Sequence, residues 1–448
     1  VSAIHCICYG RFALKRKNPL LPLFSVVFVD MLGFGLILPL LPYIAANWGA
    51  TPAVIGLIGA AYPLGQFFGA PLVGRFSDRF GRKPLLLFSI TGTFLSLLML
   101  GFARSIAIIM ISRFLDGLTG GNITVAQAYI SDVTDEKSRA KGMGMIGAAF
   151  GLGFILGPAS GGFLSQWGYA VPAFVSAGLS LINLFLITFL LPESLPKEKR
   201  VHHLSEAKRK HPLKGLSAAF AKPIAGPILG SIIVFSLSMS MFESVFSLFA
   251  KQRLDLSAQS TGFVLAYVGV LVAGIQGGGM GILTKRFPEN VLVRFALIAL
   301  TLSYVGWALS PNVAVLIIVL IPLSISSGIL STLLRSSLSK AVPSNETGEI
   351  MGISAAMESI TRIVAPALGG WLIGSLSSVA PGLLSAVLLG GLTVYLISLQ
   401  KKHRLPDHIA ETNLSDIGID VFGRSCFLSD PGCSKSESTE IETERPEK

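Results

Sequence analysis

What most constrains this chain is a succession of apolar runs, each long enough to cross a bilayer, separated by short polar connections. They recur from Leu20 to Leu399, which leaves room for roughly twelve spans at about 20 residues each. In lipid only α-helices and closed β-barrels satisfy their own backbone hydrogen bonds, and these runs lack the alternation of barrel strands. The expected fold class is an all-α membrane protein with twelve transmembrane helices. Composition agrees: 51% of the 448 residues are hydrophobic and 14% charged, and the mean hydropathy is +0.67, outside the soluble globular range.

The formal net charge of +11 raises the question of a nucleic-acid partner. Such a binder gathers its positive residues on one soluble face, whereas here they collect in particular connections, so no nucleic acid is expected. Lys15, Arg16 and Lys17 precede the first span; Arg75, Arg79, Arg82 and Lys83 follow the second; Lys137, Arg139 and Lys141 follow the fourth; further clusters fill 197–222 and 401–404. By the positive-inside rule both termini and the central linker are cytoplasmic, and the expected setting is the lipid bilayer of the plasma membrane. Cys6, Cys8, Cys426 and Cys433 fall in the tails on that side, with no histidine spacing for zinc, so neither a disulfide nor a metal is expected. No G-x-x-x-x-G-K-[ST] loop and no nucleophile and base constellation stands out, which argues against an ATP-driven pump, an enzyme or a cofactor.

The chain repeats itself. Gly74-Arg-Phe-Ser-Asp-Arg-Phe80 is echoed by Gly281-Ile-Leu-Thr-Lys-Arg-Phe287, 207 residues on, and Pro158-Ala-Ser-Gly-Gly162 by Pro366-Ala-Leu-Gly-Gly370, 208 residues on. A constant offset across separate motifs indicates duplication. The expected organisation is a tail over 1–17, a six-helix bundle over 18–191, a basic linker over 192–222, a second bundle over 223–400 and a tail, partly disordered, over 401–448.

Four stretches carry a resemblance to a known family. Gly74-Arg-Phe-Ser-Asp-Arg-Phe-Gly-Arg-Lys83, Arg113-Phe-Leu-Asp-Gly117, the run Gly153 to Gly162, and Asp30 in VDMLGFGLILPLLP resemble, in order, motifs of the second-to-third connection, fourth, fifth and first helices of the major facilitator superfamily, most closely its tetracycline-type drug/proton antiporters. The resemblance implies a monomeric secondary transporter, with protons and a small-molecule substrate as partners. It implies a cytoplasmic latch of Gly74, Asp78, Arg79, Gly81, Arg82 and Lys83, with Asp132 as acidic partner, that joins the two bundles in the outward-facing state. It also implies an antiporter motif of Gly153, Gly157, Pro158, Gly161 and Gly162. The second-half copies are degraded: Lys285, Pro288 and Glu289 replace Asp78, Gly81 and Arg82, and Thr361 and Ala365 replace Gly153 and Gly157. Ser96 stands where tetracycline pumps carry an acid.

The residues themselves add a physical reading. Gly153, Gly157 and Gly161 form a small-residue stripe that admits another helix, and Pro158 bends its helix. Ionisable side chains inside spans cost about 2.5 to 3.5 kcal/mol each on insertion scales and so mark function. Asp30 has no sequence-local partner; it is expected to carry a proton, tuned by Arg113, although Arg113 and Asp116 at i and i+3 also suit a pair of their own. Glu358 and Arg362 at i and i+4 suit a pair along one helix. Glu243 lies among Met and Phe residues that suit an adaptable cavity, or else near the outer interface. Gln66, Asn122, Gln127, Glu243 and Glu358 are the candidate cavity residues, an acidic set expected to favour neutral or cationic amphiphiles over anions.

The function expected is proton-coupled antiport, exporting small amphipathic or drug-like compounds by alternating access. An uptake carrier for a sugar or metabolite on the same fold, and a non-transporting receptor, are the alternatives.

Overall fold

The computed structural model describes residues 20–196, 198, 200 and 212–402. The four cysteines and the middle of the basic linker, residues 201–211, lie outside them. Among the described residues twelve long helices follow one another: α1 (Leu20–Asn47), α2 (Pro52–Phe80), α3 (Arg82–Gly101), α4 (Ile106–Val133), α5 (Glu136–Leu164), α6 (Val171–Leu190), α7 (Ala225–Leu254), α8 (Ala258–Arg286), α9 (Glu289–Leu309), α10 (Val313–Lys340), α11 (Ser344–Ser375) and α12 (Ala380–Lys402). Eleven have the length and apolar content to cross a membrane. The other, α11, runs for 32 residues and is diluted by Glu346, Glu349, Glu358 and Arg362.

Local chemistry sets the ends and breaks. Thr51, Ser105, Asp135, Ser257 and Asn312 cap α2, α4, α5, α8 and α10 by accepting the backbone N–H three residues on, the arrangement that satisfies an otherwise orphaned donor. At Asp135, which lies outside the spans, the Ser138 hydrogen bonds hold the carboxyl below its ordinary value. Pro39 and Pro42 tighten α1 into a 3-10 turn over Leu38–Leu40, Gly120 and Gly121 interrupt α4, and α8 contains one π-helical turn over Ile275–Gly279. Such irregularities inside a membrane are tolerated where they line a cavity.

The core of the second half is aromatic. Phe242, Phe246 and Phe249 on α7 close around Trp307 of α9, with ring centroids 5.0, 6.4 and 5.3 Å away, and all four are fully buried. Large apolar side chains on the outside, such as Phe189, Phe295 and Val394, are where lipid would be.

Among the described residues the closest backbone approaches between the halves lie at one end. A Cβ built on Gly56 of α2 would fall 2.3 Å from the Pro366 carbonyl oxygen of α11, and one on Gly262 of α8 would fall 2.3 Å from the Pro158 carbonyl oxygen of α5. Only glycine permits backbones so close. At the same end the Tyr43 hydroxyl lies 2.7 Å from that of Thr261 and donates to the Leu256 carbonyl at 2.9 Å. Towards the other end Gly144, Gly147 and Gly151 of α5, Gly274, Gly277, Gly278 and Gly281 of α8, and Gly348 and Gly352 of α11 have nothing within 4 Å of a Cβ position. The halves therefore diverge toward the end that carries the basic connections.

Candidate functional site

Between the halves lie three adjoining cavity lobes of about 330, 240 and 190 Å³. Glu243 borders all three. The helical period explains its position: Phe242 and Phe246 are held in the aromatic core, and Ser236, Met239, Ser240 and Glu243, spaced i, i+3, i+4 and i+7, share the adjoining face that borders the cavity. Glu243 thus faces the central path and not the outer interface. Glu358 and Arg335 line the smallest lobe, and Gln66 the 240 Å³ lobe with Tyr62, Arg113 and Arg362. The Gln276 amide, set on the π turn, donates to Ser331 at 3.0 Å.

Two sequence expectations need correction. Gln127 does not border these lobes; it is exposed. Asn122 does not line them either: its side-chain amide donates to both carboxylate oxygens of Asp30, at 3.0 and 3.1 Å. Asn122 stands directly after the Gly120–Gly121 break, and Gln66 ties that break down by donating to the Gly120 carbonyl at 3.2 Å and the Tyr62 hydroxyl at 3.3 Å.

Arg113 is not paired with Asp30. Its Nη1 lies 3.2 Å from Asp116 Oδ2, both side chains almost fully buried, while its Nε and Nη2 find no partner. One turn separates the two residues on α4, so the pair forms without help from another helix.

Glu358 and Arg362 likewise do not pair. Glu358 Oε2 accepts from Arg335 of α10 at 2.6 Å, and its other oxygen from Ser354. The partner on a facing helix displaces the one on the same helix.

At the basic end, Arg82 of α3 binds three acceptors: Asp132 Oδ2 at 2.9 Å, Asp78 Oδ1 at 2.6 Å and Ser77 Oγ at 2.7 Å. Glu193, just past α6, accepts the backbone N–H of Arg82 at 2.9 Å and of Lys83 at 3.3 Å, a carboxylate at a helix N-terminus. Ser194 donates to Asp132 at 3.0 Å, and the Lys83 ammonium to the Thr188 carbonyl at 2.7 Å. Gly81 turns the chain at φ +107°, where a Cβ would fall 2.4 Å from Glu193 Oε2. Arg79 packs over Phe80, and Gly74 faces Thr124. All these groups belong to the first half or to the start of the linker that follows it, so in this conformation the cluster does not join the two bundles. Glu193 and Ser194 are absent from the sequence reading; an acid and a hydroxyl directly after the sixth span were the available signal.

The small-residue motif divides its contacts. Cβ positions on Gly153, Gly157 and Gly161 would meet Met31, Gly35 and Leu36 of α1, inside the first half, whereas Gly162 and Pro158 meet α8 across the interface.

A transport path lined by two six-helix halves and the ordered motifs agree with a match to the family described as Major Facilitator Superfamily over residues 23–366 and 281–431. The chain belongs to the Major Facilitator Superfamily. Among relatives of this superfamily member, Tetracycline resistance protein, class C, of Escherichia coli is 31% identical over 87% of this chain and 98% of its own length. Multidrug resistance protein 2 of Bacillus subtilis (strain 168) is 29% identical over 87% and 97%. The crystal structure of a bacterial homolog to the human lysosomal transporter Spinster, in an inward-facing and unoccupied conformation, superposes with a TM-score of 0.65 at 16% identity over 85% of this chain and 94% of that one. That likeness shows the shared fold. As a member of the superfamily the protein is a multi-pass membrane transporter of small molecules, not an enzyme.

Proposed function

We propose that this transporter is a proton-coupled antiporter that exports small amphipathic compounds by alternating access. The carrying observation is the wedge between the halves: closed at one end by Gly56 on Pro366, Gly262 on Pro158 and Tyr43 on Thr261, and open at the end with the basic connections. With that end cytoplasmic, the wedge is the inward-facing state, ready to load from the cytoplasm. The efflux function is in keeping with the tetracycline and multidrug resistance relatives.

In this reading the chain works as a monomer in the plasma membrane, with both termini cytoplasmic. Its rocking bodies are 18–191 and 223–400, connected by 192–222. Asp30 is the proton carrier, oriented by Asn122, and the Arg113–Asp116 pair is its charged neighbour on α4. The Arg82 cluster holds the basic end of the first half in the shape that the second half meets on closing, and Pro158 with Gly162 seals against α8. A membrane potential of about 100 mV supplies roughly 2.3 kcal/mol per proton, enough for a gradient of about fiftyfold.

The test uses proteoliposomes with an acid-loaded lumen and a lumenal pH dye. Addition of at least one amphiphile from a panel of charged and neutral compounds, tetracycline among them, is expected to trigger proton release in wild type and not in Asp30→Asn. Sugar flux without opposing proton movement, or unchanged exchange in Asp30→Asn, would reject the proposal.

A further inference from the structure

Arg362 is left without a carboxylate. It projects from α11 into the 240 and 190 Å³ lobes and is exposed there, and among the described residues no acid stands within ion-pair distance of it. Glu358, the natural partner one turn away, is committed to Arg335 at 2.6 Å. Asp116 is committed to Arg113, and Asp30 to Asn122. Glu243 of α7 borders the same two lobes as Arg362 and forms no bridge with it. A guanidinium inside the membrane with no fixed counter-ion is costly and presents a planar fork that matches a carboxylate in two hydrogen bonds.

The duplication makes the cavity polar at one wall and apolar at the other. At the repeat offset of 208 residues, Glu358 and Arg362 of α11 correspond to Phe150 and Phe154 of α5. Those two rings stack with centroids 6.5 Å apart, and Phe34 joins them 6.3 Å from Phe154 and 5.2 Å from Tyr62. Phe34, Phe150, Phe154 and Arg362 border the same 240 Å³ lobe. The two copies of one helix thus supply an aromatic wall and an unneutralised cation to a single space.

We infer that the cavity takes amphiphiles that bear an anionic group, a carboxylate above all, seating the anion on Arg362 and the apolar body against Phe34, Phe150 and Phe154. This rests on the transport reading above and names its substrate class, reversing the preference for neutral or cationic compounds that the acidic residues alone suggest. Glu243 is then the competitor for Arg362: a bound carboxylate must displace its influence, and a cationic amphiphile must seat elsewhere.

The deciding experiment is equilibrium binding to the purified full chain in detergent, with three probes of one shape: 2-naphthoate, 2-naphthamide and 2-naphthylmethylammonium. Wild type is expected to bind the naphthoate at least tenfold more tightly than the amide. Arg362→Gln should erase that difference, Arg362→Lys keep part of it, and Glu243→Gln tighten the naphthoate several-fold. Phe154→Ala should weaken naphthoate and amide in equal proportion, since it removes the body's contact and not the charge's. Size-exclusion monodispersity of each variant shows that it is folded. The inference is overturned if folded wild type fails to bind naphthoate, if the amide or the ammonium binds as tightly, or if Arg362→Gln leaves naphthoate affinity unchanged. Binding requires no proton gradient, so this outcome is independent of whether antiport is found in proteoliposomes.

Discussion

The Glu358 carboxylate lies 2.6 Å from Arg335 on the facing helix α10 and makes no bridge to Arg362, one turn along its own helix. The choice leaves a free cation in the path, and it is reversible by mutation. Arg335→Gln removes the competing partner, so Glu358 should swing to Arg362 at the i, i+4 spacing. The naphthoate preference should fall by roughly fivefold, corresponding to about 1 kcal/mol of coupling, and the further change Glu358→Gln should restore it. Titration of wild type, the single variant and the double variant checks this; equal affinities in all three would exclude the exchange of partners.

Asn122 and Gln127 look alike in the sequence but stand in different places. Asn122→Leu removes both donors from the Asp30 carboxylate, and substrate-driven proton release should slow about tenfold, the worth of a hydrogen bond to a charged group. Gln127→Leu, outside the cavity lobes, should leave the rate unchanged. Initial rates of lumenal pH change, normalised to reconstituted protein, measure the contrast.

The turn at Gly81 makes a sharp test of the basic-end cluster. Alanine there must adopt a positive φ and push Glu193 off the α3 N-terminus, at an expected loss of roughly 1 to 3 kcal/mol. Arg82→Ala strands Asp78 and Asp132 together and should cost at least as much, with Arg82→Lys intermediate because a single ammonium does not replace the fork. Thermal unfolding in detergent gives the order, which should be wild type, Arg82→Lys, then Arg82→Ala.

Closure of the open end has a register. α5 and α8 run antiparallel, with Gly162 against Gly262 and Ile155 against Gly269. Continued down both helices through the π turn, that register places Gly147 opposite Gly277 and Gly278, where no atoms now approach within 4 Å. Cysteines at Gly147 and Gly278 should form a disulfide only when the basic end shuts, and the cross-linked protein should stop transporting until reduced. Bridging at the same rate when the protein is locked with its basic end open would refute the register.

The apolar spans, the twofold repeat and the ordered motifs could be read from the chain alone, because hydropathy and spacing are properties of neighbouring residues. So could the Arg113–Asp116 pair, which needs only one helical turn. The Arg82 cluster was legible in part: Asp78 and Asp132 carry a motif, but Glu193 becomes its cap only when the end of α6 arrives beside α3. Asp30 acquired its Asn122 partner through the break in α4, and Glu358 left Arg362 because α10 brings Arg335 nearer. Sequence determined which charges enter the membrane. Packing between helices decided which remain unpaired, since a buried charge takes the partner that tertiary contact puts closest, and it decided too which end of the wedge stands open.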